Sequence, residues 1–515
     1  MSRLGHTGWR RNIARTIDGS SLDGLILDAD SARPLYLQLY DGMREMILSG
    51  TLPGGMRIPS SRVLSESLGI SRFTVVTALD QLVAEGYLKS TRGSGTYVET
   101  VPRRQSGKPG TSSESGVATP DRFEKLLSRR GQALTWRTSL TLNDGSQLLH
   151  MATPDHRLFP VQIWSQLTKE VYAQGDFRIV NYREIMRPSL LEEQIARHIA
   201  VSRGIRCEPE EVVTTLGAHH AVTLLAELLL DPGDTVAFEE PGMAAIRSIF
   251  QSSGCKIEPM HVDASGPDPH TVASRDVKLA FVTAAKQQPM TVAMPMKRKL
   301  ELLHWAADRE TLIIEDDLGS EFRYRGGPIP PLKALDQAGQ VIYIGAFSMT
   351  LLQSLRVGYM IMPRALAERC RRLIQVRYRA LPQFTEQIVG RFIEDGHYVR
   401  HLHRMRRIYA KRQNRLLQIL RSDFADIFEP PEFASGFYNL CYFRDQAVDE
   451  DAVLVRCRHA NLGIEQLSYY YANRISPRKA LLVGFAASTE EEIPFATKLL
   501  RRCLDARADL SAAMP

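Results

Sequence analysis

The chain has 515 residues, too many for one ordinary domain, so two or more are expected. Hydrophobic residues at 44% and charged at 24% describe a folded rather than a disordered protein, and a net charge of +7 permits a polyanionic partner without demanding one. No apolar run reaches the roughly 18–20 residues of a membrane span, Arg10-Arg11-Asn12 leads into no secretory signal core, and six scattered cysteines without a C-x-x-C pair argue against zinc and disulfide frameworks and fit a reducing cytoplasm.

Three helical patterns open a first module, residues 31–100. Tyr36, Leu39, Tyr40, Met43 and Ile47 share one face of a helix that Gly50 and Pro53-Gly54 end. Pro59-Ser60 starts a short second helix carrying Val63, Leu64 and Leu68 and closed by Gly69. Ser71 is an N-cap for a third, with Val75, Val76, Leu79, Leu82 and Val83 on its buried side. Tyr87 to Thr91 and Thr96-Tyr97-Val98 read as two strands joined by the tight turn Arg92-Gly93-Ser94-Gly95. Two helices with a short glycine-containing joint make a helix-turn-helix, and the strand pair makes a wing. Arg72, Phe73 and Thr74 fall in the first turn of the third helix, the end that enters the major groove in such motifs. Arg62 is placed to reach a phosphate or a base edge, and Arg92 with the amides of Gly93, Ser94 and Gly95 to approach a minor groove or backbone. Taken singly, each arginine is an ordinary solvated charge. Jointly, Pro59-Ser60-Ser61-Arg62-Val63-Leu64, Ser71-Arg72-Phe73-Thr74-Val75, Leu82 to Leu88 and Gly93 to Val98 resemble the GntR family of bacterial transcriptional regulators. That resemblance implies a winged helix-turn-helix that binds double-stranded operator DNA.

Pro102 to Gly116 has no aromatic and almost no apolar residue, so 101–120 is expected to be a flexible linker. A helix-like segment, Arg122 to Leu134, follows. From 145 to 510, strand-like and helix-like segments alternate as in an α/β domain. Ala221 to Leu230, carrying Glu227 and stopped by Asp231-Pro232-Gly233-Asp234, reads as a buried helix. The basic run Arg400 to Arg412 keeps Leu402, Met405, Ile408 and Tyr409 on one face, a solvated amphipathic helix rather than a second nucleic-acid surface. Met151 to Pro160 with Trp164, Val212 to Ala218, Ile313-Ile314-Glu315-Asp316-Asp317, Ser320 to Tyr324, Tyr343 to Thr350 and Leu482 to Ala486 resemble fold-type I pyridoxal-phosphate (PLP) aminotransferases. More narrowly, they resemble the branch fused to a GntR module, the MocR-type regulators. The fold implied for 145–510 is therefore an aminotransferase-like effector-binding and dimerisation domain.

The resemblance carries its site over residue by residue. Asp316 matches the aspartate that keeps the pyridine nitrogen protonated, and Ser348 and Arg356 match residues that hold the phosphate. Met349 stands where the family has the lysine whose amine forms the Schiff base, and Asp316 keeps the family's spacing to it. A thioether cannot form an imine. Leu318 replaces a tyrosine that donates to the cofactor's phenolate oxygen, and Ala218-His219-His220 replaces a hydroxyl-bearing phosphate turn after Gly217. Ala284 to Thr291 and Met243 depart as well. Lys286 lies in a segment expected to line the same cavity; as a substitute amine it would require the ring to turn, and a partnership with an acidic ligand or a surface carboxylate is preferred.

These observations describe a cytoplasmic transcription factor whose aminotransferase-like domain senses a small metabolite and has no catalytic residues and no metal. PLP is the cofactor the resemblance implies, and Met349 argues against its covalent attachment. The expected effector is an amino acid, PLP or a phosphorylated metabolite, and the family implies a homodimer. The rival readings are a PLP-dependent aminotransferase carrying a DNA-binding module, a PLP-binding regulator of the usual MocR kind, and a degenerate domain that only dimerises.

Overall fold

In a computed structural model, which describes residues 25, 27–29, 31–91, 94–100, 126–133, 147–174, 188–324, 326–327, 329–432 and 435–505, the chain divides into two units, Met1–Ala118 and Thr119–Pro515. The expected linker 101–120 and the wing residues Arg92 and Gly93 lie outside the described residues, as do residues 122–125 and 134 of the helix-like segment, of which Arg129–Ala133 is helical.

In the first unit, α1 (Leu35–Ser49) buries Leu39, Tyr40, Met43 and Ile47 and ends at Gly50, whose φ of 84° lets its N–H reach the Ile47 carbonyl. Helix α2 (Ser61–Leu68) starts at Ser60, whose hydroxyl accepts from the Val63 N–H at 3.4 Å. Helix α3 (Arg72–Ala84) starts at Ser71, whose hydroxyl accepts from the Thr74 N–H at 3.1 Å. Such caps contribute about 1 kcal/mol each. The buried stripe of α3 is Val75, Ala78, Leu79 and Leu82; Val76 and Val83, expected on that side, sit at its flanks and are only partly covered. Strands β1 (Arg57–Ile58), β2 (Leu88–Thr91) and β3 (Gly95–Val98) form an antiparallel sheet in the order β1-β3-β2, completing a winged helix-turn-helix. Leu39, Met43, Val75 and Leu82 are fully enclosed in its core. Burying each contributes roughly 1.5–3 kcal/mol.

The second unit is built on a mixed eight-stranded sheet with the order β4-β11-β10-β9-β8-β5-β6-β7. Its strands are β4 (Val212–Thr215), β5 (Thr235–Glu240), β6 (Lys256–Asp263), β7 (Gly266–Pro267), β8 (Leu279–Val282), β9 (Leu312–Asp316), β10 (Val341–Ala346) and β11 (Gly358–Ile361). The pairs β6-β5, β5-β8, β8-β9 and β9-β10 are parallel, and β11 runs antiparallel between β10 and β4. The central strands are apolar almost throughout, as strands covered on both faces must be. Helices α4 (Val161–Ala173), α5 (Leu190–Arg203), α6 (Ala218–Leu229), α7 (Ala244–Ser252), α8 (Met296–Asp308), α9 (Arg364–Tyr378), α10 (Gln383–Glu394) and α11 (His397–Asp423) surround it. Helix α6 starts at Ala218, three residues before the buried run read from the sequence, because Gly217 turns the chain directly out of β4. On α11 the buried face holds Leu402, Met405 and Tyr409 as expected, together with His401 and Arg412. A smaller antiparallel sheet, β12 (Tyr438–Tyr442), β14 (Ala480–Gly484) and β13 (Glu465–Gln466), packs with α12 (Glu450–His459) and α13 (Glu492–Asp505). No described helix is long and apolar enough to cross a membrane.

Candidate functional site

The start of α3 presents its polar residues unequally. Phe73 is 81% exposed, a large ring held in water at the leading end of the helix. Arg72 is exposed, with its Nε 3.3 Å from the Ser61 hydroxyl, which ties the first turns of α2 and α3 together. Arg62 reaches back to Glu66 at 3.2 Å in a solvent-exposed pair worth little in water. The Thr74 hydroxyl lies 2.7 Å from that of Ser71, within the helix cap. In the wing, the Tyr97 hydroxyl donates to the Ser94 carbonyl at 2.8 Å, and Gly95 has a φ of 112°. A Cβ on Gly95 would stand 2.9 Å from the Arg57 Nε. Arg57 therefore places a guanidinium beside the wing turn, a residue the sequence alone did not single out because a two-residue strand shows no alternation.

In the second unit, the matched residues stand where strands end. A parallel sheet puts its ligand crevice at the carboxyl ends of its strands. Asp316 closes β9, buried at 3% exposure. Its Oδ1 accepts from the Leu318 N–H at 3.0 Å, while its Oδ2 is buried with no hydrogen-bond partner. Burial pushes this carboxyl up to about 7. Glu239, at the end of β5, accepts from the Thr283 N–H and hydroxyl at 2.7 Å each and from the Gln287 amide at 3.0 Å. Burial pushes it up to about 7, with the Asp316 charge acting the same way and those three bonds acting against it. Glu239, Thr283 and Gln287 were not foreseen, because no local motif marks a bond between residues on two strands.

The start of α6 suits an anion. Gly217, at φ 92°, precedes α6 without a side-chain cap, so the first amides of the helix and its positive dipole end carry no carboxylate of their own. His220 is buried; its Nδ1 accepts from the Leu216 N–H at 3.0 Å and its Nε2 has no partner. Burial and the Arg356 charge drive His220 down to about 4 and lower His219 too, so both are neutral at pH 7. That shared influence puts Arg356 beside the helix start. Arg356 has a φ of 52°, unusual for a residue with a Cβ, and forms no ion pair with a described residue. Close backbone approach shapes this end: a Cβ on Gly358 would lie 2.7 Å from the Gly217 Cα. A Cβ on Gly345 would lie 2.3 Å from the Tyr359 ring.

Ser348 and Met349 lie on the turn after β10, half-buried, with the Met349 thioether packed against the main apolar cluster. The next residue anchors that turn: the Thr350 hydroxyl is 3.1 Å from that of Tyr398, and its carbonyl accepts from His401 Nε2 at 2.9 Å. Lys286 is corrected. It pairs with no described carboxylate; its ammonium lies over the Tyr438 ring, 4.5 Å from the centroid. A Cβ on Gly436 would sit 1.9 Å from that nitrogen, and burial lowers the amine to about 7.

Residues 35–98 match the model of bacterial regulatory proteins of the gntR family, and residues 150–446 that of aminotransferase class I and II. The chain is 32% identical to the probable rhizopine catabolism regulatory protein MocR of Rhizobium meliloti, over 90% of this chain and 92% of that protein. It is 32% identical to the uncharacterized HTH-type transcriptional regulator YhdI of Bacillus subtilis, over 92% of this chain and 97% of that one. Among solved structures it is similar to an archaeal alanine:glyoxylate aminotransferase, with a TM-score of 0.67 and 25% identity, covering 74% of this chain and 98% of the other.

Proposed function

The chain belongs to the MocR-type branch of the GntR family, DNA-binding transcriptional regulators with an aminotransferase-like domain, and from that premise we propose that this domain is a non-catalytic metabolite sensor. One feature supports the reading: the family resemblance sets Met349 against the Schiff-base lysine, while Asp316, Ser348 and Arg356 match groups that hold the rest of the cofactor. The buried, unpartnered Oδ2 of Asp316 fits a protonated ring nitrogen. Arg356, Ser348 and the uncapped start of α6, with Ala218 and His219, fit a phosphate. Leu318 offers no hydroxyl to a phenolate oxygen. PLP, when joined to an amine, supplies an electron sink. Met349 offers no amine, so these residues bind and orient the ring and phosphate without forming a bond to them.

The reading is tested by adding PLP to the purified protein, reducing with borohydride and mapping any modified peptide. The expected protein is colourless as purified and unmodified after reduction, although PLP raises its melting temperature. With Met349→Lys, weak modification should appear at that position. A yellow wild-type protein carrying reducible PLP on Lys286 or another lysine would restore the enzyme reading.

A further inference from the structure

A cavity of about 380 Å³ lies between α5, residues 320–324 with Gly326, and α11. That volume is in the range of small-molecule sites. Three buried polar atoms on residues lining it have no hydrogen-bond partner: Arg203 Nε, Arg323 Nε and Glu321 Oε2. Buried polar atoms are nearly always satisfied, and three orphans around one cavity call for a shared partner.

Their chemistry narrows that partner. Arg203 spends its terminal nitrogen on Asp317 at 2.6 Å, and Asp317 is held further by the Tyr343 and Ser320 hydroxyls at 2.7 and 2.8 Å. Arg323 makes no hydrogen bond or ion pair with any described residue, and its terminal nitrogen stands where a Cβ on Gly326 would be 3.0 Å away. A planar guanidinium left unpaired suits a carboxylate, which it can grip with two bonds. Glu321 asks for the opposite: its free oxygen needs a donor. The Arg406 guanidinium beside it is bonded to the Glu321 carbonyl at 2.6 Å rather than to the carboxyl. A phosphate dianion would satisfy the arginines and bring no donor to the free oxygen of Glu321. A molecule with a carboxylate at one end and a hydroxyl or ammonium near it satisfies all three.

We infer that this cavity is a second effector site, distinct from the cofactor-like crevice, that takes a small carboxylate bearing a hydroxyl or ammonium donor. The carboxylate sits against Arg323 and Arg203, and the donor faces Glu321. The proposal stands apart from the reading of the Met349 site, which PLP binding tests separately.

Titration calorimetry on the full-length protein with L-malate, L-aspartate and succinate isolates the donor, since the three share a carbon skeleton and differ in hydroxyl, ammonium or neither. Malate or aspartate should bind at one site per chain at least tenfold more tightly than succinate. Arg323→Gln should weaken that binding at least tenfold. Val399, 41% exposed and lining the same cavity, gives a control that spares the buried network: Val399→Trp should fill the space and also abolish binding. No binding by any of the three, equal binding of succinate, unchanged affinity in both variants, or strictly competitive displacement by PLP would each overturn the inference.

Discussion

Replacing Asp316 by asparagine probes the cofactor-like crevice without needing to know its ligand. Burial holds this carboxyl at about 7 against an ordinary value of 3.8, so the folded chain keeps a proton that the unfolded chain has released. A group raised in this way leaves stability intact below about pH 4 and lowers it as pH rises through about 7. Three pH units at 1.36 kcal/mol each bound the loss at about 4 kcal/mol. In the Thr119–Pro515 unit, close to 400 residues, an unfolding entropy of about 2.1 cal/mol/K per residue makes that about 5 °C. Asparagine retains an oxygen for the Leu318 N–H and carries no charge, so the variant should be spared this loss. Thermal unfolding from pH 4 to pH 8 should show the two proteins melting together at pH 4, diverging between pH 4 and pH 7, and the variant up to about 5 °C higher at pH 8. Adding PLP at pH 8 should reverse the order, because a ring cation stabilises the carboxylate and not the amide. A difference that does not change with pH, or a variant less stable at pH 8, would refute the account of an unpaired carboxyl awaiting a cation.

Four further outcomes are expected. Arg72→Ala should cost about 1–3 kcal/mol of operator binding and relax base preference at one position of each half-site, measured by fluorescence anisotropy; Phe73→Ala should weaken DNA binding while leaving the melting temperature unchanged, since the ring is exposed. If the protein acts as a symmetric dimer, its operator contains two half-sites near whole helical turns apart, and inserting five base pairs between them should reduce affinity in a gel-shift titration, an effect absent if a monomer binds one half-site. Gly345→Ala should lower stability by several kcal/mol in denaturant unfolding, because its Cβ would stand 2.3 Å from the Tyr359 ring within a fully buried strand.

The parts of the molecule that could be read ahead of the structure are those whose chemistry is local. Ser60, Ser71 and Gly50 act on backbone groups a few residues away, so their caps were visible as residue types in order. The places of Asp316, Ser348, Met349 and Arg356 at strand ends and turns could be read because they sit at fixed offsets in two strand-to-turn motifs. What escaped was set by distant partners. Lys286 meets Tyr438 only through the folding of the smaller sheet against the larger one, and Glu239 meets Thr283 only across paired strands. Val76 looked buried because every valine of α3 fits an apolar count, whereas the stripe facing α1 is one residue narrower.

Helix α11 has a mechanical meaning beyond its place in the core. Along one side it grips the Thr350 carbonyl through His401, the Glu321 carbonyl through Arg406 and Asp155 through Arg412 at 2.8 Å. It thus holds, with one rod about 40 Å long, the residue after Met349, the wall of the second cavity and the segment that leads into α4. A molecule that changes the position of this rod at one grip changes the strain at the others. By linkage the effect must run both ways: whatever factor one ligand applies to the affinity of another, it receives back in full. Two signals bound at separate places would then be read as a product rather than as a sum.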